Sequence, residues 1–282
     1  MKLFFDTETT GLPTRRQAHY KEHDVWPRVV SISWALYDRN ELQKHVYTIV
    51  RPDGFIIPED AAKIHGITTE HALANGRPLN EVLQELISDI KINCPEILIA
   101  HNIQFDFPVL LCELDRIRME PNFATIPTCC TMVSSTDLCA ILHTNGKGYK
   151  WPKLTELHSK LFGSDFSGQH DASNDVLACA RCFFELDKLG LVNPSPFSFP
   201  EFNSRENDNM KAKWADAAEV ETMLEQIGEF SEQNPSFNSD FIKSVSKQYK
   251  LRGTLSPKQV NALRNILRGW RLHHAPILQT AN

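Results

Sequence analysis

Lys2-Leu3-Phe4-Phe5-Asp6-Thr7-Glu8-Thr9-Thr10-Gly11-Leu12 is the stretch that decides how this chain folds. Its apolar start reads as a short strand, and the strand ends in two carboxylates at i and i+2. Side chains along a strand alternate between faces, so Asp6 and Glu8 point the same way. Two acids on one face repel each other unless a cation joins them. Hard oxygen donors at this spacing suit Mg²⁺ or Mn²⁺. An Asp-x-Glu alone also describes a solvated strand end, and the Thr-Thr-Gly-Leu that follows narrows the reading.

Working outward, strands and helices alternate over the first 190 residues. Val29–Tyr37 and His45–Val50 are β-branched and aromatic, with Asp38-Arg39-Asn40 as turn chemistry between them, and read as a hairpin. Pro78–Ile90 carries an apolar stripe through Leu79, Val82, Leu83, Leu86, Ile87 and Ile90 at helical spacing. Glu96–Ala100 is a short buried strand, followed by a helix over Phe105–Ile117 with Pro108 placed in its first turn. Leu154–Phe162 and Ala172–Leu189 are helices closed by Gly163 and Gly190. The pattern is α/β.

Two further acidic motifs sit on this frame. Ala100-His101-Asn102-Ile103-Gln104-Phe105-Asp106 follows a buried strand, where open α/β sheets place their ligands. Taken alone, Asp106 is an ordinary acid at a helix N-terminus, and His101 reads equally as a hydrogen-bonded core histidine. His170-Asp171-Ala172-Ser173-Asn174-Asp175 opens a helix. The helix dipole there favours an ionised Asp175, and a neutral His170 can take a proton from water near pH 7.

Together, Asp6-x-Glu8, Asp106 and His170-x-x-x-x-Asp175 resemble, in order and spacing, the DEDDh subgroup of DnaQ-like exonucleases. Lys63-Ile64-His65-Gly66-Ile67-Thr68 also looks like the I-H-G-I-T element of that family's DNA polymerase III proofreading-subunit branch. The resemblance covers roughly residues 2–190. It implies a ribonuclease H-like mixed sheet flanked by helices, and 3′→5′ hydrolysis of phosphodiesters with release of nucleoside 5′-monophosphates. Carried over residue by residue, Asp6 would bridge two divalent ions, Mg²⁺ or Mn²⁺. Glu8 and Asp175 would complete one ion's ligands, Asp106 would support the other, and His170 would be the general base. The ions of such a site lie roughly 3.5–4 Å apart. Main-chain groups at Thr7–Thr9 would hold the terminal 3′-hydroxyl, and Leu12 would pack on the last base. His65, Asn102 and Phe105 would complete the pocket. The expected substrate is a single-stranded or frayed 3′ end, with DNA favoured and RNA the alternative. One departure is an insert at Pro13–Trp26 with Arg15, Arg16, His19, Lys21 and His23, read equally as a substrate entrance or a solvated loop.

Asn193–Ser204 holds three prolines and three serines and marks a linker. The expected organisation is an exonuclease domain over 1–192, a linker over 193–211 and a helical appendage over 212–282. Its candidate helices are Ala212–Phe230, Asn238–Tyr249 and Ser256–Leu272, the last with Ser256 as N-cap and Pro257 at the first helical position.

Charge is uneven. Residues 241–282 carry eight basic side chains and no acid, whereas the other 240 residues carry 22 basic and 35 acidic side chains, or −13. A basic tail on an acidic body points to a polyanionic partner. Trp270, between Arg268 and Arg271, either stacks on a base or packs the appendage's own core. Five intact catalytic positions argue against a purely structural chain, but the appendage could dock on a partner protein.

Seven cysteines give an odd count, against a disulfide framework. Cys179-x-x-Cys182 has no second pair to complete a zinc site and reads as small buried side chains. No apolar run is long enough for a bilayer, and the first residues lack a signal-peptide pattern. A cytoplasmic protein without membrane contact is expected.

Overall fold

The computed structural model describes residues 1–15, 18–166, 171–200, 217–233, 240–253, 255 and 257–269. They fall into two compact units, Met1–Asp53 with Ile57–Phe202, and Gly54–Ile56 with Asn203–Asn282.

In the first unit the elements run β1 (Lys2–Thr9), β2 (Val29–Asp38), β3 (Glu41–Ile49), α1 (Glu59–His65), α2 (Thr69–Asn75) and α3 (Leu79–Asn93). Then come β4 (Ile97–Ala100), α4 (Ile103–Arg116), β5 (Thr128–Cys130), α5 (Thr131–Ser134), α6 (Thr136–Cys139), α7 (Leu154–Phe162) and α8 (Ala172–Lys188). The strands form one mixed sheet in the order β3-β2-β1-β4-β5. β1 lies in the middle, antiparallel to β2 and parallel to β4. This is the ribonuclease H-like mixed sheet flanked by helices that the motifs implied.

Alternation along β1 divides the core. Leu3 and Phe5 join Ile32, Trp34 and Leu36 of β2 in a cluster with Val82, Leu83 and Leu86 of α3 and Phe107, Leu110 and Leu111 of α4. Phe4 points the other way, against Val176, Cys179, Ala180 and Phe183 of α8. Asp6 and Glu8 have Phe4's parity and therefore share the α8 face. Trp34 is fully buried and its indole N–H donates to Asp89 at 2.8 Å, so its one polar group is satisfied. Cys179 and Cys182 are buried on α8. Burial pushes the Cys182 thiol up to about 12 and the Cys179 thiol well above its ordinary range.

α4 begins two residues before the expected start, with Asn102 at its N-cap in a left-handed conformation, φ 78°. Pro108 is therefore the sixth helical residue, not one of the first turn. Its missing N–H would have met the carbonyl of Gln104, an exposed residue where solvent can take its place.

The insert at Pro13–Trp26 is tied down. Its described residues include buried Ala18, Val25 and Trp26. Thr14 N–H donates to the Val25 carbonyl, Arg15 pairs with Glu22, and His23 bonds Asp115 of α4 at 2.7 Å. The Arg116 guanidinium donates to the carbonyls of His23, Trp26 and Pro27. Arg16 lies outside the described residues. Beyond α8, Ser195 pairs with Thr128 of β5 through two main-chain hydrogen bonds, and Phe197 and Phe199 pack on Phe107.

The second unit contains α9 (Ala217–Gln233), α10 (Asp240–Arg252) and α11 (Pro257–Gly269). Val220, Met223, Ile227, Ile242, Val245, Leu255, Val260 and Leu263 form their shared core. Arg264 makes a two-pronged ion pair with Glu219, so this cation of the basic tail is neutralised within its own unit. Trp270, Arg271 and the expected N-cap Ser256 lie outside the described residues. No helix among the described residues is long and apolar enough to cross a membrane.

Candidate active site

β1 places Asp6 and Glu8 side by side, and the first turn of α8 places Asp175 over them. One carboxylate oxygen from each of the three lies within 4.8 Å of the other two. The α8 N-terminus is fixed by Asp171, whose side chain accepts the Ser173 N–H at 2.9 Å while its carbonyl accepts the Asp175 N–H at 3.0 Å. Asp175 thus sits where backbone N–H groups and the helix dipole favour negative charge.

Asp106, on α4, is held separately. Its Oδ1 accepts the Thr7 main-chain N–H at 3.1 Å and the Thr7 hydroxyl at 2.7 Å. The two inward carboxylates of β1 are thus flanked by acids from both neighbouring helices.

The electrostatic consequence is strong. Burial, then Asp106, Asp175, Glu8 and Asp171, raises the Asp6 carboxyl well above its usual range. Burial, then Asp175, Asp106 and Asp171, pushes Glu8 up to about 8. Burial raises Asp106 to about 7 against the opposing hydrogen bonds from Thr7. Charge of one sign is concentrated here beyond what the buried site can hold ionised. The donors are all hard oxygens, and a divalent cation is the species that fits them.

The remaining expected site residues divide. His170 lies outside the described residues. Both donors that Thr7 could offer a substrate are committed to Asp106. The Thr9 hydroxyl donates to the Gly11 carbonyl at 2.7 Å, shaping the turn that leaves Leu12 exposed, at 82%. His65 ends α1 beside the Thr9 main chain. Its Nδ1 accepts the Ile67 N–H, its buried Nε2 has no hydrogen bond of ordinary geometry, and burial lowers its pKa. Asn102 and Phe105 are half-buried at the start of α4, where the Asn102 carbonyl accepts the Phe105 N–H at 2.8 Å. His101 is a structural histidine. It bonds the Thr131 hydroxyl at 2.9 Å and the Pro152 carbonyl at 3.0 Å, and burial lowers its pKa to about 4.

The sequence reading missed the neighbours on the same sheet face. Ser33 of β2 lies opposite Asp6, and Ser31 opposite Glu8. On β3, Tyr47 lies opposite Ser33, while His45 bonds the Ser33 hydroxyl at 3.0 Å. Serines at i and i+2 in an otherwise apolar strand were the available signal.

A family model described as Exonuclease matches residues 3–183. The chain is 28% identical over 179 residues to the DNA polymerase III subunit epsilon of Treponema pallidum (strain Nichols), covering 64% of this chain and 73% of that protein. E. coli exonuclease I, solved in complex with a dT13 oligonucleotide, superposes with a TM-score of 0.54 at 19% identity, over 66% of this chain and 40% of that one. The nuclease domain of 3′hExo, a DEDDh family member bound to rAMP, gives a TM-score of 0.51 at 18% identity, over 69% of this chain and 95% of that one. At such identities the two structures speak to fold alone. With the family model spanning the sheet and its acidic cluster, this chain belongs to the exonuclease family, as a metal-dependent 3′–5′ exonuclease.

Proposed function

We propose that the chain removes nucleotides one at a time from single-stranded or frayed 3′ ends, preferring DNA, and releases nucleoside 5′-monophosphates. The observation that carries this reading is the cluster of Asp6, Glu8 and Asp175 oxygens within 4.8 Å, with Asp106 held beside it by Thr7. In this reading Asp6, Glu8 and Asp175 hold divalent ions, and Asp106 supports the second. Two Mg²⁺ ions, or Mn²⁺ in their place, would supply Lewis acidity to the attacking and leaving oxygens.

The chain's own groups do the rest. His170 takes a proton from the attacking water, and its position before the helix of Asp175 supports that role. Exposed Leu12, on the turn fixed by Thr9 and Gly11, offers an apolar surface to the terminal base. His65, Asn102 and Phe105 line the same end of the sheet. In this reading a paired base does not reach the carboxylates, so an unpaired end is required.

The DNA preference is supported by the relative named as a DNA polymerase subunit and by exonuclease I solved with dT13. The rAMP bound to 3′hExo keeps RNA as the second reading. The polymerase-subunit relative and the separate helical unit also support a protein partner docking through residues 212–282.

Matched deoxyribo- and ribo-oligomers, digested side by side with Mg²⁺ and their products resolved by chromatography, test the proposal. Faster DNA loss yielding 5′-monophosphates is expected. Faster RNA loss would overturn the sugar preference, and 3′-monophosphates would overturn the assigned bond.

A further inference from the structure

A hairpin between α6 and α7 is exposed over residues 142–149. Leu142 and Tyr149 pair as an antiparallel bridge, and the His143 N–H donates to the Gly148 carbonyl at 3.1 Å. The Lys150 N–H closes the ladder on the Ile141 carbonyl at 2.8 Å. Gly146 and Gly148, both at φ +70°, make the tight turn that side chains would resist. The hairpin presents what a folded body normally hides: Trp151 is 62% exposed, Leu142 62% and Tyr149 44%. A single exposed apolar residue needs no explanation, but three together on one hairpin mark an interaction surface.

Charge names the partner. Residues 138–155 contain Lys147, Lys150 and Lys153 and no carboxylate, within an otherwise acidic body. Lys150 is held by Glu156 at 2.6 Å and exposed Lys153 also acts on that carboxylate, while Lys147 is exposed and makes no ion pair among the described residues. Cations interleaved with exposed aromatics suit a single nucleic-acid strand, because bases stack on rings while ammonium groups meet phosphates.

Position ties the surface to the site. The Pro152 carbonyl, next to Trp151, is bonded by His101, the residue that follows β4 and precedes Asn102 at the head of the Asp106 helix. The Glu156 carboxylate accepts the Lys153 N–H at 2.7 Å, so the hairpin root is fixed on both sides.

We propose that the hairpin over residues 141–151 is a stacking platform for the substrate strand upstream of the 3′ end. Trp151 and Tyr149 hold bases, and Lys147 and Lys153 hold phosphates. This rests on the nuclease reading above for its substrate and deepens it, giving the acidic body a local means of gripping a polyanion.

The test compares a long oligothymidylate with the p-nitrophenyl ester of thymidine 5′-monophosphate, too small to reach the hairpin. Trp151→Ala should lower kcat/KM on the oligomer roughly 5- to 150-fold, the range of base–aromatic stacking, and Lys147→Glu should lower it more at low salt than at high salt. They should leave the small ester unchanged, and Trp151→Phe should restore most of the loss. Equal losses on both substrates, or no loss on either, would overturn the platform. Anisotropy of the labelled oligomer in EDTA reads binding without catalysis. If wild type cleaves neither substrate yet Trp151→Ala weakens binding by the same factor, the platform stands and the nuclease reading falls. Unchanged binding in that variant overturns the platform.

Discussion

Thr7 donates twice to one oxygen of Asp106, through its N–H at 3.1 Å and its hydroxyl at 2.7 Å, and so ties the central strand to the helix of the fourth carboxylate. Burial raises Asp106, and these two bonds oppose the rise. Thr7→Val removes one of them without changing shape. The Mg²⁺ concentration for half-maximal activity should rise about 10- to 100-fold, as for other groups that orient a metal's ligands. Thr7→Ser should stay near wild type. A metal titration of activity that does not distinguish the two variants would show that the hydroxyl does not tune the site.

The acidic cluster predicts an unusual dependence of stability on pH without metal. Raised carboxyl pKa values mean that the folded state binds more protons than the unfolded chain, so stability falls as pH rises. For Glu8 the window runs from its ordinary 4.5 to about 8. In EDTA, the melting temperature of the nuclease unit should therefore drop across that range. Mg²⁺ should restore it, with its largest effect at the alkaline end. Glu8→Gln in EDTA should gain on the order of 1–2 kcal/mol above the window, about one pKa unit's worth of relieved repulsion. Thermal scans with and without Mg²⁺ check both, and a flat EDTA profile would contradict the cluster's charge.

Glu113 anchors α4 to the start of β2. It is 1% exposed, and its Oε1 accepts from Arg28 at 2.8 Å and from the Val29 N–H at 2.9 Å, with Arg116 at 3.1 Å. Glu113→Ala removes the buried carboxylate that two cations and a main-chain donor share, and should cost about 3–5 kcal/mol. Denaturant unfolding of the nuclease unit measures this. A loss under about 1 kcal/mol would mean that solvent replaces the carboxylate at little cost.

Much of this was legible in the sequence, because each motif sat on a strong local pattern. The apolar run before Asp6, the turn after Asp38, the stripe of α3 and the Gly163 stop each placed an element within a few residues. α7 falls on Leu154–Phe162 as expected. The misses have a common cause. α1 and α2 have seven residues each, under two full turns, and β5 has three, so no periodicity could accumulate. β3 starts at Glu41, four residues before the expected start, because the exposed Glu41–Gln43 end has no buried face to pattern it. Strand parity put Asp6 and Glu8 on one face, whereas Asp175 was joined to them only by the family resemblance of the three motifs. The Thr7–Asp106 bond and the His101–Pro152 tether join residues too far apart in sequence for spacing to show.

His101 illustrates that last class and carries its own test. Burial opposes charge on its ring and outweighs the hydrogen bond to the Pro152 carbonyl, so its pKa falls to about 4. The unfolded ring, near 6.5, binds protons more readily, so this residue contributes stability that is lost as pH falls from 6.5 towards 4. NMR of the histidine rings should show one that stays neutral through pH 6 and keeps a slowly exchanging N–H. A His101 resonance titrating near neutrality would remove the tether from the account.

The most direct measurement of the central claim uses a 5′-labelled single-stranded oligodeoxynucleotide with Mg²⁺, for wild type, Asp6→Asn and Asp175→Asn. The expected product is a ladder that shortens step by step from the 3′ end. It should be abolished by EDTA and reduced at least about 10³-fold in both variants, as expected when a group that stabilises the transition state is removed. An intact oligomer with either Mg²⁺ or Mn²⁺, or a ladder unaffected by both substitutions, would contradict the assignment of the Asp6, Glu8 and Asp175 cluster as the catalytic centre.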